Sequence, residues 1–409
     1  MACNNTTYFQ MLMNNSDLLN ELYKTSYYVG ILNHNIPVAM QVNKIVTPIW
    51  LVVGIFGNII SAIVWANPRM RTCNTAAYYL TCLSIADLTF LILCFIYELE
   101  NPWLLSPLDL TGWCQIFQMA NIAVQYFCVF LVFAFTAERF LSMWFPFKSE
   151  RFGKTRTPRI IMGLMGVAVA LSLPQLYFWD IHPIVGECQL RSTLSKKSEV
   201  SFFSLYTWCT ELAVFGVLPL VVLFLNTAVL YKIRNVGKLN LGSANHHSSR
   251  SSSSRIPTEQ STSLLQSDKA GKDANQSRTN GGAKSNSSSA STTATLLGVA
   301  FFLILTMLPN TLLYAMQEMV NFGPMPCRVE DMSSDPKWRD FFAFTSVKVI
   351  VKEISLSHHV GNVFIYMATS RRFLQLAVNT VLMRSNKASA DTSLHTIRIA
   401  NTRTVGDGV

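Results

Sequence analysis

The sequence predicts an all-α membrane protein, a bundle of seven transmembrane helices followed by a short amphipathic eighth helix. Half of the 409 residues are hydrophobic and only 14% are charged, whereas about a quarter of the residues in a soluble globular protein are charged. Apolar runs long enough to cross about 30 Å of hydrocarbon recur along the chain. Seven such runs are predicted, at residues 45–66, 76–97, 115–137, 159–179, 202–231, 295–316 and 341–367.

The placement of the basic residues predicts how these spans are oriented. Arg69 and Arg71 follow the first span, and further Lys and Arg residues follow the third, fifth and seventh. The intervening loops carry acids such as Glu330 and Asp331. Because basic loops stay in the cytoplasm, the N-terminus is predicted outside a multi-pass plasma-membrane protein and the C-terminus inside. The net charge of +10 is therefore assigned to the inner face of the lipid bilayer and not to nucleic acid.

This pattern divides the chain into six regions. They are an extracellular segment at 1–44, helices one to five at 45–234, a third intracellular loop at 235–292, helices six and seven at 293–369, the amphipathic helix at 370–383 and a cytoplasmic tail at 384–409. The Ser-rich loop has too few apolar residues to offset the entropy of ordering, so disorder is expected. Its Ser and Thr residues beside basic ones suit phosphorylation by kinases, with a plain solvated spacer as the alternative.

Several residues mark the outer side of the membrane. Asn4, Asn5 and Asn14 each begin an Asn-x-Ser/Thr triplet, the acceptor for glycosylation. Residues 1–30 lack the charged start and apolar core of a cleavable signal peptide, so the first span is expected to direct its own insertion.

The cysteines fall into two groups. Most lie in or beside the spans, but Cys114 begins the third span on its outer side and Cys188 lies in the next outer loop. An oxidising exterior lets these two pair. Cys3 and Cys327 are also predicted outside and are candidates for a second bridge.

The inner end of the third span carries an acid and a base side by side, Glu138 and Arg139. Arg139 lies 25 residues beyond Cys114, about 37 Å of helix, which places it at the inner membrane face. Adjacent residues on a helix do not face each other, so Arg139 can take a second partner there. A pair of interfacial anchors without a switching role is the alternative from these two residues alone.

Short motifs occur in a fixed order along the predicted spans. They are Gly57–Asn58, Asp87, Cys114, Glu138–Arg139 with Pro146, Pro219, Pro309, and Asn362 to Tyr366. In this order they resemble the class A, rhodopsin-like G-protein-coupled receptors over about residues 45 to 373. The resemblance implies an extracellular ligand, a heterotrimeric G protein as partner, and neither catalysis nor a cofactor. It also implies that activation and G-protein coupling involve Glu138, Arg139, Pro146, Pro309, Asn362 and Tyr366.

The chain departs from the family pattern at several places. Met307 stands where the family has a Trp in span six, and Val363 stands where it has a Pro in span seven. Five residues resemble the family's internal sodium and water pocket: Asn58, Asp87, Cys128, His358 and Asn362. Cys128 and the His358–His359 pair differ from the usual residues there, and a His bonded to Asp87 in place of the ion is the alternative.

Nine polar residues are predicted to face the mouth of the bundle and bind the ligand. They are Glu98, Gln118, Asn121, Gln125, Glu211, Asn310, Gln317, Lys348 and Lys352. Charges of both signs suit a peptide, and the nearest resemblance is to invertebrate-type neuropeptide receptors of the RFamide or myosuppressin sort. Glu98 is expected to pair with Lys352 or to accept an Arg of the ligand. A chemosensory or other non-peptide class A receptor is the alternative.

Two other classes of membrane protein are disfavoured. A transporter or channel needs internal repeats and a continuous polar path, whereas no repeat is visible and the polar residues thin out below Asp87. A membrane enzyme needs a metal cluster, and the adjacent His358 and His359 are too few ligands on diverging helix faces.

Overall fold

The structure is a computed structural model, and it describes residues 25–71, 75–100, 103, 105–145, 153–191, 202–248, 295, 297–320, 322–324 and 327–382. Six of its helices are long and apolar enough to cross a membrane. We call them spans one to six: Pro37–Ala66, Ala76–Leu99, Trp113–Trp144, Arg156–Phe178, Phe202–Ile233 and Leu297–Met316. Span seven is the helix Pro336–Thr369, whose 34 residues reach about 51 Å and so exceed the bilayer core.

Span seven is less apolar than the other six because it carries charges in its middle, at Lys348, Lys352 and Glu353. These charges are accommodated because part of the helix faces its neighbours: Glu353 and Leu356 are both buried. Its first turn is capped by Asp335, whose side chain accepts from the backbone N–H groups of Lys337 and Trp338. The predicted all-α bundle of seven spans is confirmed.

Shorter elements join the spans. They are the helices Thr25–Asn35, Pro68–Arg71 and Gln175–Phe178, the strands β1 (Trp179–Ile181) and β2 (Cys188–Leu190), the 3-10 turns Gln317–Met319 and Met332–Ser334, and the final helix Arg371–Val381. The two strands pair antiparallel, with Ile181 opposite Cys188. Span four begins within the helix Gly153–Ser172. Span five comprises the helix Phe202–Glu211, a π-helical turn at Leu212–Val217, and the helix Leu218–Ser248.

Some helices extend past the predicted boundaries. Span one begins at Pro37 and is preceded by the helix Thr25–Asn35, both within the segment predicted as 1–44. The last helix of span five continues to Ser248, inside the loop predicted at 235–292. Hydropathy marks the apolar part of a helix and not its polar ends, which explains these differences. The rest of that loop and the predicted tail at 384–409 lie outside the described residues.

Packing joins the spans through buried side chains. Span one contacts spans two and seven, and span three contacts spans two, four and five. Near the inner end, the Trp65 and Tyr366 rings meet edge to face with 5.4 Å between centroids. The ring centroid of Phe373, in the final helix, lies 5.3 Å from that of Trp65 and 5.4 Å from that of Tyr366. These three aromatic residues fix the final helix against spans one and seven.

Candidate functional site

A cavity of about 200 Å³ lies among spans two, three, five, six and seven. Six of the nine predicted ligand-binding residues line it: Glu98, Asn121, Gln125, Glu211, Asn310 and Lys352. Apolar side chains complete the lining, among them Phe90, Phe215 and Met307. Eight of the fourteen lining residues are polar or charged, and polar groups that converge on one cavity are a mark of a ligand site.

The other three predicted residues do not line this cavity. The Lys348 ammonium lies 2.5 Å from the Gln317 carbonyl oxygen, joining span seven to the turn after span six. Gln118 is buried in span three. None of the three is among the residues that line the cavity.

The predicted pairing of Glu98 with Lys352 is confirmed. Lys352 Nζ lies 2.5 Å from Glu98 Oε1, and the two side chains are 41% and 5% exposed. Next to them, Glu353 Oε1 accepts from Asn43 Nδ2 at 2.9 Å and from the Thr47 hydroxyl at 2.8 Å. This network ties span one to span seven. Sequence reasoning missed it because Asn43 lay in the segment assigned to the extracellular side.

Glu211 is the other acid of the cavity. In the described part of the chain its carboxyl makes no hydrogen bond or ion pair, in contrast to that of Glu98. The π-helical turn Leu212–Val217 follows it directly, and such turns often lie at functional sites because they redirect nearby side chains. Across the cavity, the Asn121 carbonyl oxygen is buried and has no hydrogen-bond partner among the described residues. The cavity therefore offers acceptors to a cationic or hydrogen-bonding ligand group.

The floor of the cavity is formed where the chain departs from the family pattern. Met307 lies there, and the Ser355 hydroxyl is 3.3 Å from its sulfur. In the same helix the Thr306 hydroxyl donates to the Phe302 carbonyl at 2.7 Å, and Pro309 follows two residues after Met307. A flexible thioether thus occupies the place of a rigid indole.

An internal polar cluster lies deeper in the bundle around Asp87, which is fully buried. Its Oδ1 lies 2.7 Å from His359 Nδ1 and accepts from Cys128 Sγ at 3.4 Å. Its Oδ2 accepts from Asn362 Nδ2 at 2.8 Å. Asn58 donates to the backbone carbonyl of His359 at 2.8 Å, so spans one, two, three and seven meet here.

The structure places His359 in this cluster, and the prediction of His358 was wrong. Successive side chains on a helix point about 100° apart, so only one of two adjacent His residues can face Asp87. His358 turns toward span six, where its ring centre lies 6.0 Å from that of Phe302. It is fully buried, and both ring nitrogens lack a hydrogen-bond partner among the described residues.

The inner end of the bundle holds the residues expected to couple to a G protein. The Arg139 guanidinium carbon lies 5.8 Å from the centre of the Phe135 ring, one turn earlier in span three. Tyr366 is buried beside Trp65 at the same end. Pro146, the remaining residue expected there, lies outside the described residues.

A disulfide closes the outer end, as predicted for Cys114 and Cys188. Cys188 begins strand β2, and its backbone N–H donates to Asp109 Oδ1 at 2.8 Å. Cys327 is also disulfide-bonded, with a partner outside the described residues, so the pairing with Cys3 stays a prediction. The glycosylation acceptors Asn4, Asn5 and Asn14 likewise lie outside these residues.

The fold agrees with a comparison of the sequence with known families. The family described as "7 transmembrane receptor (rhodopsin family)" matches residues 57–349, more than two thirds of the chain. The chain therefore belongs to the rhodopsin family of seven-transmembrane receptors. It is a multi-pass membrane receptor that transmits the signal of an extracellular ligand through G proteins. No curated protein matches the chain.

Proposed function

We propose that this receptor lies in the plasma membrane with its N-terminus outside and responds to an extracellular peptide that bears a cationic group. The observation that carries the proposal is the contrast between the two cavity acids. Glu98 is neutralised by Lys352, whereas Glu211, which lines the same cavity, makes no hydrogen bond or ion pair in the described part of the chain. A carboxyl in such a place favours a ligand that supplies a cation.

The size of the cavity supports a peptide that inserts one end. Sites that enclose a drug-sized molecule measure about 300–1,000 Å³, whereas this cavity measures about 200 Å³. It suits a single side chain or terminus, with the rest of the ligand on the outer rim beside strands β1 and β2. A neuropeptide ending in an amidated Arg-Phe pair would present a guanidinium to Glu211 and a ring to Phe215.

A second candidate is a small non-peptide cation that fills the cavity alone, which the same volume favours. Amine receptors of this family carry an acid where Asn121 stands here, so such a ligand would use Glu211 instead. The two candidates differ in whether contacts outside the cavity add affinity.

We further propose that Arg139 and Tyr366 form part of the G-protein site, and that the Ser-rich loop receives kinases and arrestin. Ligand binding acts by shifting the population between two conformations of the bundle. The position of both residues at the inner end, away from the cavity, supports this role.

The test begins with a screen of amidated neuropeptides for second-messenger responses in transfected cells. For an active peptide containing Arg, Glu211→Gln is expected to lower potency by about 30-fold or more, because removing one partner of a buried charge pair costs about 2–5 kcal/mol. On the wild type, the same peptide with citrulline in place of Arg should be less potent than the Arg peptide. On Glu211→Gln, the two peptides should differ little in potency.

Arg139→Ala serves as the coupling control. It should retain peptide binding and lose G-protein nucleotide exchange, whereas Glu211→Gln should lose binding first. Equal potency of an Arg peptide on wild type and Glu211→Gln would show that Glu211 is not the cation site. Activation by small cations but by no peptide would favour the second candidate.

A further inference from the structure

Three donor atoms of different chemistry meet in the middle of the bundle. An Asp87 carboxylate oxygen, the Cys128 sulfur and a His359 ring nitrogen all lie within 4.8 Å of one another. All three residues are buried, and they come from spans two, three and seven. This combination of a carboxylate, a thiol and an imidazole has no use in the receptor function proposed above.

The donor set does not fit the sodium ion that the family resemblance implies. A hard cation prefers oxygen ligands, whereas two of these three donors are sulfur and nitrogen. Moreover, the His359 ring is 2.7 Å from the carboxylate oxygen that a sodium ion would use. Thiolate, imidazole and carboxylate are instead the three protein ligands that zinc binds.

Two of the three donor separations are close to those around a tetrahedral ion, and the third, between the Cys128 sulfur and the His359 nitrogen, is at most 4.8 Å. Zinc bonds of about 2.0 Å to oxygen and nitrogen and about 2.3 Å to sulfur separate the ligand atoms by about 3.3–3.6 Å. The sulfur of Cys128 lies 3.4 Å from Asp87 Oδ1, already at that spacing. The His359 nitrogen, at 2.7 Å, must withdraw by about 0.6 Å to reach it.

The surroundings supply a fourth position and a route to it. The Asn362 side chain contacts Asp87 through its amide nitrogen at 2.8 Å. Its carbonyl oxygen is buried and, within the described ranges, has no hydrogen-bond partner. His359 also lines the cavity, so an ion or water arriving from outside reaches the cluster past this ring.

We infer that Asp87, Cys128 and His359 bind a zinc-type divalent metal ion, with the fourth position taken by Asn362 or by water. Binding converts the Cys128 thiol to a thiolate and releases its proton to solvent, because the thiolate is the ligand. His359 binds through Nδ1 as a neutral ring with its proton on Nε2. The ion would hold spans two, three and seven together and stabilise the conformation in which they meet.

The test uses the full chain in lipid nanodiscs, purified without a histidine tag and washed with a chelator. Zinc at micromolar concentration is expected to raise the melting temperature, and sodium at the same ionic strength is not. Cobalt as a probe should give the absorption of a thiolate-to-cobalt charge transfer. Zinc should also slow the alkylation of Cys128 measured by mass spectrometry.

Cys128→Ser and His359→Asn each remove a direct ligand of the metal. Each should weaken zinc binding by more than about 10- to 100-fold, which is the cost of losing only an outer-shell partner. The matched control is Cys82→Ser. Cys82 lies on the same helix as Asp87 and is a free cysteine outside the cluster. It should leave zinc binding unchanged.

Two results would overturn the inference. One is a wild-type receptor that shows neither a zinc-dependent rise in melting temperature nor the cobalt absorption. The other is a rise that persists undiminished in Cys128→Ser and His359→Asn, which would place the metal elsewhere. If a variant fails to fold, the cobalt spectrum and the alkylation rate of the wild type still decide the question. Neither measurement depends on the peptide ligand.

Discussion

Glu98 and Lys352 show how a charge is tolerated inside the bundle. The Glu98 side chain is only 5% exposed, and its nearest cation is 2.5 Å away. A buried pair of this kind adds little net stability, but an unpaired buried charge is costly. The pair therefore keeps one acid of the cavity occupied and leaves Glu211 as the acid available to a ligand.

Replacing Lys352 with Met should lower the free energy of unfolding by about 1–3 kcal/mol. Breaking a fully buried pair costs about 3–5 kcal/mol. The cost expected here is smaller because Lys352 is 41% exposed and partly screened by solvent. Denaturant unfolding in detergent micelles measures the change. The double variant Glu98→Gln/Lys352→Met should recover most of the loss.

The control for this prediction is Arg191→Met. Arg191 pairs with Asp180 at 3.0 Å on the outer rim, where the side chains are 33% and 42% exposed. An exposed pair contributes only about 0–1 kcal/mol. A Lys352→Met variant no less stable than Arg191→Met would contradict the assigned role of the pair.

At the scale of the helices, close packing between spans one and seven depends on a small residue. A Cβ at Gly57 would lie 2.9 Å from Val363 Cγ1 and 3.4 Å from Val363 Cβ. Val has one strongly preferred rotamer in a helix and cannot rotate away. Small residues at such contacts let two helix backbones approach in a membrane, where packing drives association.

Gly57→Ala should therefore destabilise the receptor by about 1–3 kcal/mol through overpacking. Gly166→Ala in span four is the matched control, since nothing lies within 4 Å of the position of its Cβ. It should be neutral or stabilising by about 0.5–1 kcal/mol because Ala favours the helix. Thermal melting of both variants measures the difference, and equal melting temperatures would refute the packing argument.

At the scale of the whole molecule, the outer disulfide constrains a long stretch of chain. Cys114 and Cys188 are 74 residues apart in sequence, and the bridge joins the top of span three to strand β2. Closing a loop of this length removes conformational freedom mainly from the unfolded chain. The bridge thus stabilises the bundle and shapes its outer rim.

Replacing both cysteines with Ser should lower the free energy of unfolding by about 2–4 kcal/mol and weaken ligand binding. Cys209→Ser is the control, because Cys209 is exposed and free. Melting temperature and binding of the active ligand are the measurements. Wild-type values for the double variant would mean that the bridge is dispensable for both.

Local and periodic features of the sequence were enough to predict the architecture. Each span must satisfy its backbone within a helix in lipid, so apolar runs of sufficient length indicate helices directly. The same logic identified Asp87 as functional, because an acid inside a membrane is costly and needs partners. The outer cysteines followed from the orientation of the spans.

The contacts between spans were decided only by the tertiary structure. Rotation and tilt of each helix follow from packing against its neighbours. For that reason the sequence could not say that His359 and not His358 faces Asp87, or that Gln118 lies outside the cavity. Hydropathy determines that a segment crosses the membrane, and the neighbouring helices determine which of its faces meets the cavity.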